Sequence, residues 1–229
     1  MTSPGFRHGE AGSPERRSRL RFFAAAALVL STAAVVLAFG ISQNTCNDVW
    51  CHALHGKILV EEGRFPRFSD YSFVVGHDVP QNSNWAPALL FHFLLETFYY
   101  RGLLGFTTLM LGLVTVFLLL WMREEGVPWP LCFCFVGMFL VVGRTRFTPR
   151  GDFFNILFWV VYCCLLTRHR NGKSRGLWLL PFLQVIWVQF HYLAGMGLFL
   201  IAAFMCGGLP TVLRERRRGR ASSPLWDSC

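Results

Sequence analysis

The feature that most constrains this chain is a series of long segments that carry no charged side chain. Residues 22–41, 102–122 and 176–213 contain none, and an uncharged polar step at 189–191 interrupts the last of these segments. At about 1.5 Å per residue, a helix of roughly 20 residues crosses the hydrocarbon layer of a bilayer. The first segment has a basic flank like that of a signal peptide. Its apolar core exceeds the usual 7–15 or so residues, so we expect an uncleaved anchor.

Composition supports a membrane protein. Hydrophobic residues make up 53% of the chain and charged residues 15%, whereas soluble domains carry about 25% charged residues. We predict an all-α, polytopic helical membrane protein with about six spans and short helices on its outer face. The predicted spans are residues 22–41, 102–122, 127–143, 153–167, 177–190 and 193–213.

The distribution of Lys and Arg predicts the orientation in the membrane. With the N-terminus inside, cytoplasmic segments hold 15 of the 22 basic residues and outer segments hold seven, which satisfies the positive-inside rule. We therefore expect cytoplasmic basic tails at 1–21 and 214–229, and a multispan domain at 22–213 that includes an outer loop at 42–101. The net charge of +9 is then a topology signal. Nucleic-acid binding would require a clustered basic face with residues that read bases, and the sequence shows none, so we predict no nucleic-acid partner.

The outer loop is predicted to contain two helices that do not cross the membrane. A helix is expected from Asp48 to Glu62, because the capping residue Asn47 precedes it. Gly63 provides its stop. Residues 86–100 are apolar, but about 15 residues are too few to span comfortably, so we predict a helix lying in the outer interface.

One face of the first outer helix carries residue types that bind metals. Asp48, His52 and His55 fall at positions i, i+4 and i+7 and therefore share a face. Two imidazoles and a carboxylate can hold a divalent cation. A metal-dependent membrane enzyme using these three residues is one alternative for the chain, whereas the preferred prediction contains no metal and no other cofactor.

Several outer-side segments form a pattern that resembles a known superfamily. They are DVWCHALHG at 48–56, GRFPRFSDYSF at 63–73, Trp85, RFTPR at 146–150, RHR at 168–170, and LWLLP leading to WVQFH at 177–191. Together they resemble the GT-C superfamily of bacterial membrane glycosyltransferases, similar to mannosyltransferases and aminoarabinose transferase-like enzymes that use polyprenyl-phosphate sugars. Cys51 replaces an expected aromatic residue and Asn84 an expected acid. Members of the family are about twice as long, so an N-terminal half is expected.

The resemblance implies transfer of a sugar from a polyprenyl-phosphate donor to a glycan, lipid or protein acceptor at the outer face. Asp48 is the expected catalytic base, and Asp70 is expected as its partner or as a sugar ligand. Guanidinium groups match phosphate oxygens and aromatic rings can stack on sugars. Substrate contacts are accordingly predicted for Trp50, His52, Trp85, Arg144, Arg146, Arg150 and His191.

Each of these residues also has a structural interpretation that the sequence leaves open. Asp48 fits the dipole at a helix start, and Asp70 fits a turn. The arginines fit as interfacial side chains whose stems lie along apolar surface. For the whole chain, a non-catalytic transporter or assembly subunit with the same scaffold is the alternative to an enzyme.

Overall fold

The computed structural model describes residues 14–41, 47–67, 70, 85–173 and 176–217. Across these ranges the protein consists of helices joined by short turns and contains no β-strand. The predicted all-α class is therefore confirmed for the part of the chain that is described. Outside the described residues lie the outer parts of both predicted tails, 1–13 and 218–229, and residues 42–46, 68–69 and 71–84 of the predicted outer loop.

Seven α-helices make up the described fold. They are α1 (Pro14–Gly40), α2 (Asn47–Glu61), α3 (Trp85–Glu124), α4 (Trp129–Gly143), α5 (Gly151–Arg170), α6 (Leu179–Phe190) and α7 (Gly195–Arg217). Three 3₁₀ turns accompany them at Arg144–Arg146, Gly176–Trp178 and Tyr192–Ala194. Each predicted span coincides with one of these helices, which confirms the helices and leaves the number of membrane crossings a prediction.

Three helical segments are long and apolar enough to cross a membrane: α3, α5 and Trp129–Arg146, which is α4 with the turn that follows. Shorter apolar segments accompany them at Leu28–Gly40, Gly176–Phe190 and Tyr192–Gly208. Large apolar side chains cover much of the surface, with Val142 76% and Leu30 69% exposed. Such an apolar surface fits a lipid environment better than water, so length, composition and surface all support membrane association.

A break at Tyr99 divides α3 into two helical parts. Its backbone has φ 53° and ψ −149°, far from helical values. The break lies near the end of the predicted interfacial helix at 86–100, just before the predicted span at 102–122, and the two appear here as parts of one bent element. Just after the break, a Cβ on Gly102 would lie 2.7 Å from the carbonyl oxygen of Leu94. Only glycine allows the second part to start this close to the first.

The helix α2 lies against the first part of α3. It ends at Glu61, close to its predicted end, and Gly63 takes up a left-handed conformation with φ 63° that stops it. At the crossing, a Cβ on Gly56 would overlap the carbonyl oxygen of Ala88 and lie 2.6 Å from Cβ of His92. The missing side chain therefore sets how closely the two helices approach.

Aromatic side chains from α5 and α6 form the centre of the core. Trp187 is 1% exposed, and its indole stacks on Phe158 with ring centroids 5.5 Å apart. Tyr162 meets the same indole edge-on at 5.4 Å. Such pairs stabilise a core beyond the area that they bury. The contacts of Trp187 with Phe158 and Tyr162 hold α6 against α5. The break after α6 is therefore held in a fixed position relative to the first turn of α5.

The two ends of the bundle differ in chemistry. At the end where α3 begins, Trp85 donates a hydrogen bond to Gln189 near the end of α6. At the opposite end Glu124 pairs with Lys173 at 2.9 Å, and Glu125 pairs with Arg170 at 2.7 Å. We call the first the site end and the second the network end. Because α3 and α5 both start at the site end, Trp85 and Arg150 lie there.

Candidate functional site: a polar cluster at one end of the bundle

Three interruptions of the helical chain meet at the site end. They are the start of α2, the start of α5 and the break between α6 and α7. Ionisable and amide side chains come from all three and interact with one another. This polar cluster consists of Asp48, His52, Arg150, Asp152, Asn155 and His191.

The first link in the cluster is an ion pair between Asp48 and Arg150, which joins Oδ2 of the carboxylate to Nη2 of the guanidinium. Asp48 lies in the first turn of α2, and Arg150 is the extended residue that precedes α5, with φ −140° and ψ 159°. The side chains are 47% and 29% exposed respectively. A ligand can therefore reach this pair. The structure brings together the predicted base and one predicted phosphate ligand.

His52 lies one helical turn after Asp48 and is mostly buried. Its ring packs against Phe91 with centroids 5.8 Å apart, and Nδ1 is buried with no hydrogen-bond partner among the described residues. Burial lowers the pKa of His52 to about 4, with His55 adding to the effect and Asp48 opposing it. The imidazole is thus neutral near pH 7 and adds no positive charge beside Arg150.

Gly151 allows the cluster to close around the start of α5. It is buried, and a Cβ built on it would lie 3.3 Å from Cδ2 of His191 and 3.8 Å from Nε2 of His52. A side chain at this position would crowd the imidazole of His191 and contact that of His52. The glycine therefore lets histidines from α2 and from the α6–α7 break approach the same turn of backbone.

His191 is the most buried member of the cluster, with its side chain 5% exposed. It lies at the break between α6 and α7, which the polar step in the sequence predicted, and its backbone there is extended. Its Nε2 lies 2.8 Å from Oδ1 of Asp152, and its Nδ1 lies 2.8 Å from Nδ2 of Asn155. Burial lowers the pKa of His191, and the charge of Asp152 and the hydrogen bond to it oppose this shift.

Asp70 lies in a separate group of charges. Its two carboxylate oxygens accept hydrogen bonds from Arg64 at 2.8 and 2.9 Å, and Oδ2 also accepts one from the backbone N–H of Arg67 at 2.6 Å. These bonds, that from Arg64 first, lower the pKa of Asp70 to about 2. The carboxylate closes a turn after α2, so the geometry favours the structural interpretation over the predicted catalytic one.

The other predicted residues lie at the site end without joining the cluster. Arg144 and Arg146 are exposed on the turn before α5 and contribute no contact to the cluster in the described part of the chain. Trp50 is 51% exposed on α2. Trp85 is 37% exposed, and its indole Nε1 bonds Oε1 of Gln189 at 2.8 Å. Of the seven predicted substrate ligands, His52, Arg150 and His191 belong to the cluster.

The metal-binding alternative finds no support in the side-chain arrangement. His52 and His55 meet edge-on with ring centroids 6.4 Å apart, and Asp48 is paired with Arg150. Among the residues that the structure describes, no group of three or more His, Cys, Asp or Glu is arranged to hold a metal ion.

Three residues of the site were missed from the sequence. Asp152 and Asn155 lie on the first turns of α5, and Trp187 lies in α6, where its Nε1 donates to Oδ1 of Asn155 at 2.7 Å. The available signal was an acid and an amide at i and i+3 where an apolar span begins. Two polar residues on one face at that position indicate a site rather than a lipid-facing surface.

No protein-family model, no curated protein and no solved structure matches this chain. The fold and the cluster therefore define the protein by class alone. It is an all-helical protein, in its described part, with three helices apolar enough to cross a membrane. A cluster of ionisable side chains lies at the end where α2 begins.

Proposed function

We propose that the protein is a multi-pass membrane glycosyltransferase of the GT-C type, whole or in part. It transfers a sugar from a polyprenyl-phosphate donor to an extracytoplasmic glycan, lipid or protein acceptor. The observation that carries the proposal is the reachable Asp48–Arg150 ion pair at the end of a bundle of apolar helices. Such a transfer needs a cation for the donor phosphate and a base for the acceptor hydroxyl, and this pair contains both.

The proposed membrane placement has six spans, with the site end outside and both termini in the cytoplasm. The distribution of Lys and Arg supports it, because the segments that this placement puts inside hold 15 of the 22 basic residues, and four of the 15 are described at the network end. Arg123, Arg168, Arg170 and Lys173 lie at that end and engage Glu124, Glu125 or a backbone carbonyl. An excess of Lys and Arg marks the cytoplasmic side of membrane proteins. The site end then faces the compartment where polyprenyl-linked sugars would meet their acceptors.

Donor binding is proposed to separate the ion pair. A phosphate diester offers guanidinium the same oxygen geometry as a carboxylate, so it competes with Asp48 for Arg150. The exposed Arg144 and Arg146, on the turn just before, can add charge to the phosphate as it arrives at the membrane surface. When Arg150 moves to the phosphate, Asp48 becomes available as a base beside the donor.

The chemical step follows from this exchange. The acceptor oxygen attacks the anomeric carbon and forms the new glycosidic C–O bond. The bond from that carbon to the phosphate oxygen breaks, and its electron pair leaves with the lipid phosphate, which Arg150 stabilises. The acceptor proton passes to the carboxylate of Asp48. His52, neutral near pH 7, remains a hydrogen-bonding group for sugar or phosphate oxygens.

The test uses membranes that contain the full chain and labelled mannose or glucose carried on a polyprenyl phosphate. Incorporation of label into lipid, glycan or protein acceptors is the readout. Asp48→Asn keeps the size of the side chain and removes the base, so it should reduce transfer by about 100-fold or more. Arg150→Gln should chiefly weaken donor binding.

Glu61→Gln is the matched control for Asp48→Asn. Glu61 lies on the same helix, is 59% exposed and pairs with Lys57 at 3.9 Å. It should leave transfer unchanged. Equal transfer by Asp48→Asn and wild-type membranes would remove Asp48 as the base. Absence of transfer from both labelled donors, with the protein folded and inserted, would overturn the enzymatic proposal in favour of a transporter or assembly subunit.

A further inference from the structure

A chain of hydrogen bonds runs from the core to the polar cluster and fixes the orientation of an amide. The indole Nε1 of Trp187 lies 2.7 Å from Oδ1 of Asn155. An indole N–H can only donate, so this bond identifies the amide oxygen of Asn155 and directs its NH₂ group the other way. Trp187 is 1% exposed and held between aromatic rings, which makes it a rigid starting point.

The oriented amide in turn fixes the tautomer of His191. Nδ2 of Asn155 lies 2.8 Å from Nδ1 of His191, and the backbone N–H of Leu193 donates to the same ring nitrogen at 3.1 Å. Two N–H donors directed at one ring nitrogen require that it carry a lone pair and no proton. The ring proton of a neutral His191 must then lie on Nε2, which donates to Oδ1 of Asp152 at 2.8 Å.

The chain of bonds therefore ends on an accessible carboxylate. The side chain of His191 is 5% exposed, whereas that of Asp152 is 44% exposed. A second proton on His191 would place an N–H group against two N–H donors, so the ring donates to Asp152 as a neutral group. The histidine holds Oδ1 of the Asp152 carboxylate. The other oxygen stays available at the surface of the cluster.

The ligand class follows from the position of this carboxylate. Asp152 comes two residues after Arg150, and only the side-chain-free Gly151 separates them in the chain. A donor whose phosphate lies on Arg150 places its sugar ring next to that phosphate. Ionised carboxylates are strong acceptors for hydroxyl donors. The hydroxyl groups that lie beside the phosphate, and can donate to the Asp152 carboxylate, are those on the sugar ring.

We propose that Trp187, Asn155 and His191 are positioning residues that hold Asp152 as the carboxylate that binds the hydroxyl groups of the donor sugar. This rests on the proposed function, because the ligand is the sugar of the polyprenyl-phosphate donor. Asp152 is then a specificity-determining residue. Asp48, in contrast, takes the proton in the chemical step, so the two carboxylates have separable kinetic effects.

The positioning chain is tested by nitrogen NMR of the full chain, labelled with ¹⁵N-histidine and held in detergent micelles near pH 7. His191→Gln assigns the signals. We expect Nδ1 of His191 to show the shift of an unprotonated nitrogen and Nε2 that of an N–H. Asn155→Asp replaces the donor amide with an acceptor and should draw a proton onto Nδ1. A protonated Nδ1 in the wild type, or no change in Asn155→Asp, would overturn the positioning role.

The binding role is tested by steady-state kinetics with polyprenyl-phosphate mannose and polyprenyl-phosphate glucose. Asp152→Asn should raise the KM for the donor by about tenfold or more with a smaller change in kcat. Asp48→Asn should chiefly lower kcat, with a smaller change in the KM for the donor. His191→Gln keeps a side-chain N–H and should retain more of the donor affinity than His191→Ala. If Asp152→Asn has the same KM for the donor and the same kcat as the wild type, the sugar-binding role of Asp152 is overturned.

The two proposals fail in different ways. If wild-type membranes transfer neither sugar, the proposed function fails, and the sugar-binding role of Asp152 fails with it. The NMR experiment still decides whether the chain from Trp187 fixes the His191 tautomer. If transfer occurs and depends on Asp48 but not on Asp152, the proposed function stands and the further inference is overturned.

Discussion

Trp85, the first residue of α3, donates a hydrogen bond from its indole Nε1 to Oε1 of Gln189 at 2.8 Å. The bond ties the start of the bent helix to the last turn of α6, next to the break at His191. Trp85 was predicted to contact substrate, and the bond offers a structural role instead. The two roles make different demands on the indole, since stacking needs a flat ring and the bond needs the N–H.

The first prediction separates these two roles with a double-mutant cycle. Trp85→Phe keeps an aromatic face and loses the donor, and Gln189→Leu loses the acceptor. Because the bond is exposed, we expect each change to lower the free energy of unfolding by about 0.5–1 kcal/mol, with a coupling of similar size. Thermal unfolding in detergent measures this. Additive effects on unfolding, together with a raised KM in Trp85→Phe, would favour substrate contact.

The second prediction concerns Gly56, where α2 crosses α3. A methyl group there would overlap the Ala88 carbonyl oxygen and the Cβ of His92, so Gly56→Ala should destabilise the fold by about 1–3 kcal/mol. It should also shift the helix that carries Asp48 and reduce transfer. Thermal unfolding and labelled-sugar transfer are the two measurements.

Gly105→Ala in the second part of α3 is the matched control for Gly56→Ala. A Cβ there meets nothing within 4 Å. Alanine has a better helix propensity than glycine by about 1 kcal/mol, so this variant should be as stable as the wild type or more stable. If both alanine variants behave alike, the close helix crossing is not what requires glycine at position 56.

The third prediction follows from the lowered pKa of His52. Its pKa of about 4 lies below the ordinary histidine value of 6.5, so between these pH values the unfolded chain binds a proton at His52 and the folded protein does not. The stabilising contribution is complete above about pH 6.5 and is lost as the pH falls toward 4. At about 1.4 kcal/mol per pKa unit, and allowing for partial exposure, the loss is on the order of 2–3 kcal/mol.

Thermal unfolding in detergent between pH 7.5 and 4.5 checks this linkage. His52→Phe keeps a ring against Phe91 and removes the titrating group, so its stability should depend less on pH than that of the wild type. His191 contributes in the same direction, because burial also lowers its pKa. An unaltered pH profile in His52→Phe would show that His52 is not the source of the acid sensitivity.

The helices of this fold could be predicted from the sequence because their signal is local. Uncharged runs bounded by Arg, Gly and Pro define α4 and α5 to within a few residues. The break at His191 was also predictable, since a polar step interrupts an apolar run of double length. The backbone conformation of Tyr99 was not, because neither tyrosine nor its neighbours signal a left-handed residue.

The site was predictable only in part, for a different physical reason. Asp48, His52, Arg150 and His191 stood out as ionisable groups at the ends of apolar segments, and the structure brings them together. The link from Trp187 through Asn155 depends on how α6 rotates against α5, and residue types alone do not determine that rotation. Likewise, the conformation of the short turn before α5 determines which arginines face the cluster. Helical periodicity in the sequence does not predict the conformation of such a turn.

The last prediction tests the strained bend in α3. Tyr99 is 77% exposed and adopts φ 53°, a region that costs a residue with a Cβ about 1–3 kcal/mol. Tyr99→Gly removes the strain and buried contact is scarcely lost, so stability should rise by about 1 kcal/mol despite the greater freedom of glycine in the unfolded chain. Phe98→Gly is the matched control, because Phe98 is exposed but helical, and glycine there should cost about 1 kcal/mol. The midpoint temperature of thermal unfolding should therefore rise in Tyr99→Gly and fall in Phe98→Gly. A similar loss of stability in both variants would show that α3 does not bend at Tyr99.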